Sequence, residues 1–133
     1  MKLLRLLSTL LATATLLFAA DAPKLTPAEA AKRVAAGTAV LVDCREPSEW
    51  ADTGVAAPAV LLAKSDFDGA QKHWKPFLAK NAGKEIILYC RSGGRSAEVA
   101  TALAGKGVQS ANIGGIRDWT KAGLPTRKVD APK

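Results

Sequence analysis

Ile86-Ile87-Leu88-Tyr89-Cys90-Arg91-Ser92-Gly93-Gly94-Arg95-Ser96 is an apolar run of strand length that passes into a glycine-bearing loop and then into a helical pattern over residues 96–104. A strand feeding a tight loop and a helix is where open α/β sheets place their chemistry. The first loop residue is a cysteine. Adjacent glycines let the backbone take positive φ, so that successive N–H groups converge on one point, the sulfur of Cys90. A helix N-terminus adds unpaired N–H groups and partial positive charge, and Arg91 and Arg95 add full charges nearby. Such surroundings lower a thiol pKa from roughly 8.5 into the range of about 3.5–7.5, which makes Cys90 a thiolate near neutrality. The same cradle would hold an anion. A cysteine at a strand end also serves as a small buried hydrophobe, and a Gly-Gly pair as a plain turn.

Working outward, Asn81-Ala82-Gly83-Lys84 is turn chemistry ahead of the central strand. Ala39-Val40-Leu41-Val42-Asp43 is a second continuous apolar run, typical of a strand buried on both faces, and it too ends in charge. Thr26-Pro27-Ala28-Glu29 reads as a capping box with proline at the first helical position, opening a helix that stops at Gly37. A short helix begins within Glu46-Pro47-Ser48-Glu49-Trp50. Residues 60–63 read as a strand, and Ser65 or Asp66 caps a helix running to about Asn81, with Phe67, Trp74, Phe77 and Leu78 as its apolar contacts. After the loop, Ala97, Val99, Ala100, Leu103 and Ala104 form the buried side of a helix that Gly107 ends. Residues 110–113 are the last strand and 115–122 the last helix, with Trp119 facing inward; the tail after Pro125 is expected to fray. Strands alternating with helices give an α/β domain with a parallel sheet.

Three ordered motifs then narrow the reading. The loop has the form C-x-x-G-x-R-[ST]; residues 43–50, Asp43-Cys44-Arg45-Glu46-Pro47-Ser48-Glu49-Trp50, match D-x-R-E-P-x-E-[FYW]; residues 114–125 match G-G-x-x-x-W-x-x-x-G-L-P. Together they resemble the single-domain rhodaneses, a family of sulfurtransferases. The resemblance covers nearly all of the chain beyond its first 22 residues. It implies a sheet of about five parallel strands with helices on both faces, and a persulfide carried by Cys90. It also implies donor binding by Arg91 and by the loop residues Ser92, Gly93, Gly94 and Arg95, with Asp43, Arg45 and Ser96 in support. No metal or organic cofactor is implied. Arg95 has two readings, a contact to the donor's sulfonate or a brace to Asp43 or Glu46, of which the brace is preferred. The stretch 52–62 departs from the family, which usually has G-H-I-x-G-A there: Gly54 and Ala59 remain, the His and the second Gly do not.

Period-two alternation places Asp43 and Arg45 opposite Val42 and Cys44. A partner for Asp43 is expected in Arg95 or in backbone N–H groups of the Cys90 loop. Cys44 is read as a packed small residue rather than a second catalytic thiol. His73, the only histidine, is read as a surface residue rather than a base for Cys90.

Residues 1–22 carry Lys2 and Arg5, an apolar run of about 13 residues and then Ala19-Ala20-Asp21-Ala22, the pattern of a secretory signal peptide cut near Ala19 to Ala22. Left uncut, it would anchor the protein at a membrane surface. Residues 23–133 then make one domain with one core, exported to a periplasm. Two cysteines in an oxidising compartment can pair, so the sequence permits a Cys44–Cys90 bridge. Of the formal charge of +7, Lys2 and Arg5 would leave with the leader, leaving about +5, which suits small anionic sulfur donors. The positive residues are scattered and not interleaved with aromatics, which excludes nucleic acid. A monomer acting on a small anionic donor and a thiol or cyanide acceptor is expected. The rivals are a non-enzymatic sulfur carrier or thiol redox module, and a cysteine phosphatase, whose loop needs five residues between Cys and Arg where this one has four.

Overall fold

The computed structural model describes residues 22–133. The expected signal peptide at 1–22 lies outside them but for its last residue. The chain runs α1 (Pro27–Ala35), β1 (Ala39–Asp43), α2 (Pro47–Thr53), β2 (Val55–Ala56), β3 (Val60–Leu61), α3 (Lys64–Asp68), α4 (Trp74–Lys80), β4 (Glu85–Cys90), α5 (Gly94–Gly105), β5 (Ser110–Gly115), α6 (Ile116–Lys121) and β6 (Thr126–Arg127). β3, β1, β4 and β5 lie side by side in that order as a parallel sheet. The outer side of β5 carries a parallel bridge between Lys24 and Asn112, held by Leu25 N–H to Asn112 O at 2.9 Å and Asn112 N–H to Pro23 O at 3.0 Å. Four strands and this bridge fill the place of the five expected.

The two central strands are buried on both faces, as their unbroken apolar runs require. Alternation sorts their side chains. Ala39, Leu41, Ile87 and Tyr89 pack with Ala30 of α1 and Ile116 and Trp119 of α6; Val42, Ile86, Leu88 and Cys90 pack with Trp74 of α4 and Val99, Ala100 and Leu103 of α5. Helices therefore cover both faces. At about 25 cal/mol per Å² of apolar surface, fully burying each such side chain contributes about 1.5–3 kcal/mol, so this double layer is the main stabilising term.

The single helix expected from Ser65 or Asp66 to about Asn81 is two. Gly69 and the positive φ of 55° at Gln71 break it, and the carboxylate of Asp66 folds across the break to accept the N–H groups of Lys72, His73 and Trp74 at 2.8–3.1 Å. Asp66 thus caps the second helix, not the first. The two pieces meet around Trp74, whose ring sits edge-on to Phe67 and Phe77 at 5.0 and 6.0 Å.

Residues 126 and 127 are not frayed. They pair antiparallel with β2, and the Arg127 guanidinium donates to the carbonyls of Ala57 at 3.1 Å and Ala59 at 2.8 Å. Trp119 Nε1 fixes the turn before them by donating to Pro125 O at 2.8 Å. The stretch that departs from the family motif is therefore held by the chain's own end. Gly54 is required there: its φ is +74°, and a Cβ on it would stand 2.8 Å from Arg127 O.

Candidate active site

Cys90 ends β4, one of the two central strands of the sheet, and is 1% exposed. Its Sγ accepts the N–H of Gly93 at 3.0 Å and lies 3.3 Å from the hydroxyl of Ser96. Gly93 makes this turn possible with a φ of +103°, and α5 begins at the next residue, so the sulfur faces the free N–H groups of a twelve-residue helix. Burial pushes the Cys90 thiol up; hydrogen bonding from the Ser96 hydroxyl and from the N–H groups of Ser96, Gly93 and Ser92 outweighs it and brings the thiol below its ordinary range. Of these donors the sequence reading had the loop N–H groups and the helix N-terminus, beside the two guanidinium charges; the Ser96 hydroxyl it did not have.

The loop is pressed onto the end of β5. Register between the two strands shifts past Leu88, so that Leu88 faces Asn112 but Cys90 faces Gly115, with Gly114 at φ +94° in the bulge. A side chain on Gly115 would overlap the carbonyl of Arg91, and one on Gly93 would come within 3.1 Å of Gly114 Cα. Both glycines are demanded by backbone meeting backbone.

Asp43 and Arg45 lie opposite Val42 and Cys44, as alternation requires, and are fully buried against one another. Arg45 Nε and Nη2 reach the Asp43 carboxylate at 2.8–3.1 Å, and the remaining guanidinium hydrogens go to Thr53 Oγ1 and Gly54 O, each at 2.7 Å, and to Glu49 O at 3.5 Å. Trp50 Nε1 also donates to Asp43 at 3.0 Å. The expected Asp43 partners, Arg95 or the Cys90 loop, are thus replaced by Arg45 and Trp50. A carboxylate with a guanidinium two residues away closes a local ring first.

Arg95 is a brace, but neither to Asp43 nor to Glu46. Its guanidinium grips both carboxylate oxygens of Glu49 at 2.7 and 2.8 Å, tying α5 to α2. That bond, together with the N–H of Glu46, holds the Glu49 carboxyl down at about 2. Glu46 is itself occupied by the N–H and hydroxyl of Ser65.

Arg91 and Ser92 are exposed, and the Arg91 side chain makes no hydrogen bond or ion pair among the described residues. Arg91 stands between two cavities. One, of about 310 Å³, is walled by Arg45, Glu49, Asp52, Thr53, Ile116, Arg117 and Thr120; the other, of about 270 Å³, by Ser92, Arg117, Asp118 and Lys121. Cys90, 1% exposed, lines neither.

Cys44 packs on the same face of the sheet as Cys90, and both thiols are free. Its Sγ lies 3.4 Å from Tyr89 O, and burial pushes its thiol far up. His73 is exposed at the start of α4. Among the described residues no cluster of His, Cys, Asp and Glu has the makings of a metal site.

A model of the rhodanese-like domain matches residues 26–122. The chain belongs to the rhodanese-like family. A curated relative, an uncharacterised protein of Synechocystis, is 35% identical over 92 residues, which are 68% of this chain and 48% of that one, so the chain spans about half the relative's length. A Rhodopseudomonas palustris protein of unknown function, described as a possible tyrosine phosphatase, superposes with a TM-score of 0.66 at 25% identity, covering 80% of this chain and 85% of its own. A human single-domain sulfurtransferase gives 0.57 at 25% identity, covering 75% and 96%.

In this rhodanese-like domain the structure brings Cys90, Ser92, Gly93 and Ser96 together, and holds Asp43 and Arg45 against α2, with Arg45 in the wall of the larger of the two cavities. Three further residues escaped the sequence reading. Glu49, noted only within its motif, is the partner of Arg95; Arg117 lines both cavities; Asn112 accepts the Ser96 hydroxyl. Their common signal was a polar residue inside a family-like motif or an otherwise apolar strand, and it did not say which partner each would meet.

Proposed function

We propose that the protein transfers sulfane sulfur from thiosulfate, or a similar small anionic donor, to a thiol or cyanide acceptor through a persulfide on Cys90. The observation that carries this reading is the Cys90 sulfur, cradled by Gly93 N–H and the Ser96 hydroxyl in a loop with four residues between Cys90 and Arg95. The thiolate attacks the outer sulfur of the donor. A new S–S bond forms, the donor's own S–S bond breaks, and sulfite leaves with the electron pair. The negative charge now sits on the terminal sulfur, where loop N–H groups and the helix N-terminus stabilise it. An acceptor thiolate or cyanide attacks that sulfur and returns Cys90 as a thiolate. Arg91, without a partner among the described residues, binds the donor's sulfonate end, and the chain needs no metal or organic cofactor for these steps.

The similarity to a protein described as a possible phosphatase favours a second reading. A phosphate-binding loop of this kind needs its arginine aimed at the anion. Here Arg95 is held bidentately by Glu49, which supports sulfur over phosphate. Sulfite release from thiosulfate in the presence of cyanide, measured against phosphate release from an aryl phosphate, separates them. Turnover of the aryl phosphate without sulfite would replace the sulfurtransferase reading; a one-sulfur mass gain without turnover would make the protein a sulfur carrier.

Export to a periplasm and action there as a monomer complete the proposal. The basic start and short apolar run before Ala22 support it, and no helix among the described residues is long and apolar enough to cross a membrane. N-terminal sequencing of the native protein tests it: an intact Met1 in a cytoplasmic fraction overturns it.

A further inference from the structure

Ser96 has one hydroxyl proton and more than one acceptor for it. Its Oγ lies 2.8 Å from Asn112 Oδ1, 3.2 Å from Gly93 O, 3.3 Å from Cys90 Sγ and 3.5 Å from Gly114 O. The orientation of the Asn112 amide is fixed by groups of unambiguous polarity: its Nδ2 donates to Gly93 O at 3.2 Å, and its Oδ1 accepts Gly114 N–H at 2.9 Å. Oδ1 therefore points at Ser96 as an acceptor. It is the nearest one.

We propose that Asn112 is a positioning residue that competes with Cys90 for the Ser96 proton, and so sets how readily Cys90 ionises. With a neutral thiol, the hydroxyl donates to Asn112 Oδ1. When the sulfur takes a negative charge it becomes the stronger acceptor, since a bond to an ion is roughly twice as strong as one between neutral groups, and the hydroxyl turns to it. No proton leaves Ser96; only its direction changes. Once the charge has moved to the outer sulfur of a persulfide, the hydroxyl is released to Asn112 again. Asn112 meanwhile keeps the loop in register through Gly93 and Gly114. The inference rests on Cys90 being the reactive thiol but not on sulfur being what it transfers.

Other groups around the sulfur are accounted for. Just past the end of β1 the neighbouring thiol is Cys44, which burial pushes far up. On α5 the charged neighbour is Arg95, which is paired with Glu49 of α2 and still interacts with a charge on the sulfur. On the loop it is Arg91, exposed; β5 offers Asn112 and no charge over Asn112 to Gly115.

The test is the pH midpoint of Cys90 alkylation by iodoacetamide, an uncharged reagent, read by mass spectrometry of the Cys90 peptide. Ser96→Ala is made in three backgrounds: native, Asn112→Ala and Asn112→Asp. Asn112→Asp keeps the side chain's shape, which guards against the alanine variant failing to fold. If Asn112 competes, Ser96→Ala raises the midpoint most in Asn112→Ala, where the proton's nearest competing acceptor is gone and only the carbonyls of Gly93 and Gly114 remain beside the sulfur, by about one pH unit or more. The rise is smaller in the native background. It vanishes in Asn112→Asp, where a carboxylate holds the proton permanently. The same rise in every background that folds means that Asn112 is only scaffolding, and overturns the proposal. The readout needs no sulfur donor, so failure of the sulfurtransferase reading leaves a separate signature in the thiosulfate assay.

Discussion

Two cysteines on one face of one sheet are pushed in opposite directions by their surroundings. Cys90 receives hydrogen bonds from Gly93 and Ser96 and falls below the ordinary thiol range, while Cys44 is buried with only a carbonyl for company and rises far above it. Cys90→Ser therefore abolishes the one-sulfur mass gain after thiosulfate, because a serine hydroxyl is neither ionised nor able to form a persulfide. Cys44→Ala keeps most turnover, at a stability cost of about 0.5–3 kcal/mol. If Cys44→Ala stops turnover while Cys90 still takes up sulfur, Cys44 is a resolving thiol and the redox-module reading replaces the enzyme. Arg91 makes the second residue-scale prediction. With its guanidinium exposed between two cavities and unpaired among the described residues, Arg91→Ala should raise KM for thiosulfate by the equivalent of about 1.5–3 kcal/mol, and leave an uncharged donor largely unaffected. Equal losses with both donors would instead indicate a collapsed loop. The cysteine loop and Arg91 were legible in the sequence because neighbours along the chain define them. The source of the thiol's depression was legible only in part: the loop N–H groups follow from the glycine turn, but the Ser96 hydroxyl reaches the sulfur through the first turn of α5, and Arg95 is paired with Glu49.

Between elements, the site depends on two contacts that join distant segments. Gly115 lets the end of β5 meet the carbonyl of Arg91, and any Cβ there overlaps it. Gly115→Ala should cost about 1–3 kcal/mol in denaturant unfolding and reduce Cys90 alkylation, because the loop must move off the strand. Unchanged alkylation would show that the loop shape does not depend on this contact. The Glu49–Arg95 pair joins α2 to α5 across 46 residues. The Glu49 carboxyl is depressed to about 2 from an ordinary 4.5, so the bond's contribution is complete above about 4.5 and is lost as pH falls toward 2. With both side chains about a third exposed, at 34% and 29%, that contribution is on the order of 1 kcal/mol. Thermal unfolding of native protein and Glu49→Gln should differ at pH 7 and converge near pH 2; a gap that persists at pH 2 means that Glu49 acts through packing, not charge.

At the scale of the whole molecule, the last described pairing closes the structure. β6 fastens β2, Gly54 O is bound by Arg45, and Arg45 completes the buried pair with Asp43. Truncation after Pro125 should therefore lower the urea midpoint by the equivalent of about 1–3 kcal/mol and loosen the wall of the larger cavity, seen as faster amide exchange at Val55 and Ala56. No change in exchange would return residues 126–133 to the status of a loose tail. What the sequence by itself determined was local or periodic: the apolar runs of β1 and β4, the N-cap at Thr26, the glycine turn after Cys90, the face of α5 and the alternation that sends Asp43 and Arg45 one way and Cys44 the other. These follow from backbone preference and burial, which act between near neighbours. The tertiary structure alone decided the rest. It broke the helix after Asp68, gave Arg95 to Glu49 instead of Asp43, set Asn112 against Ser96 and paired the chain's end with β2. Each depends on which polar groups meet once two faces of the sheet are covered, and a buried or half-buried polar group takes whichever partner folding brings within about 3 Å, however far apart the two stand in the chain.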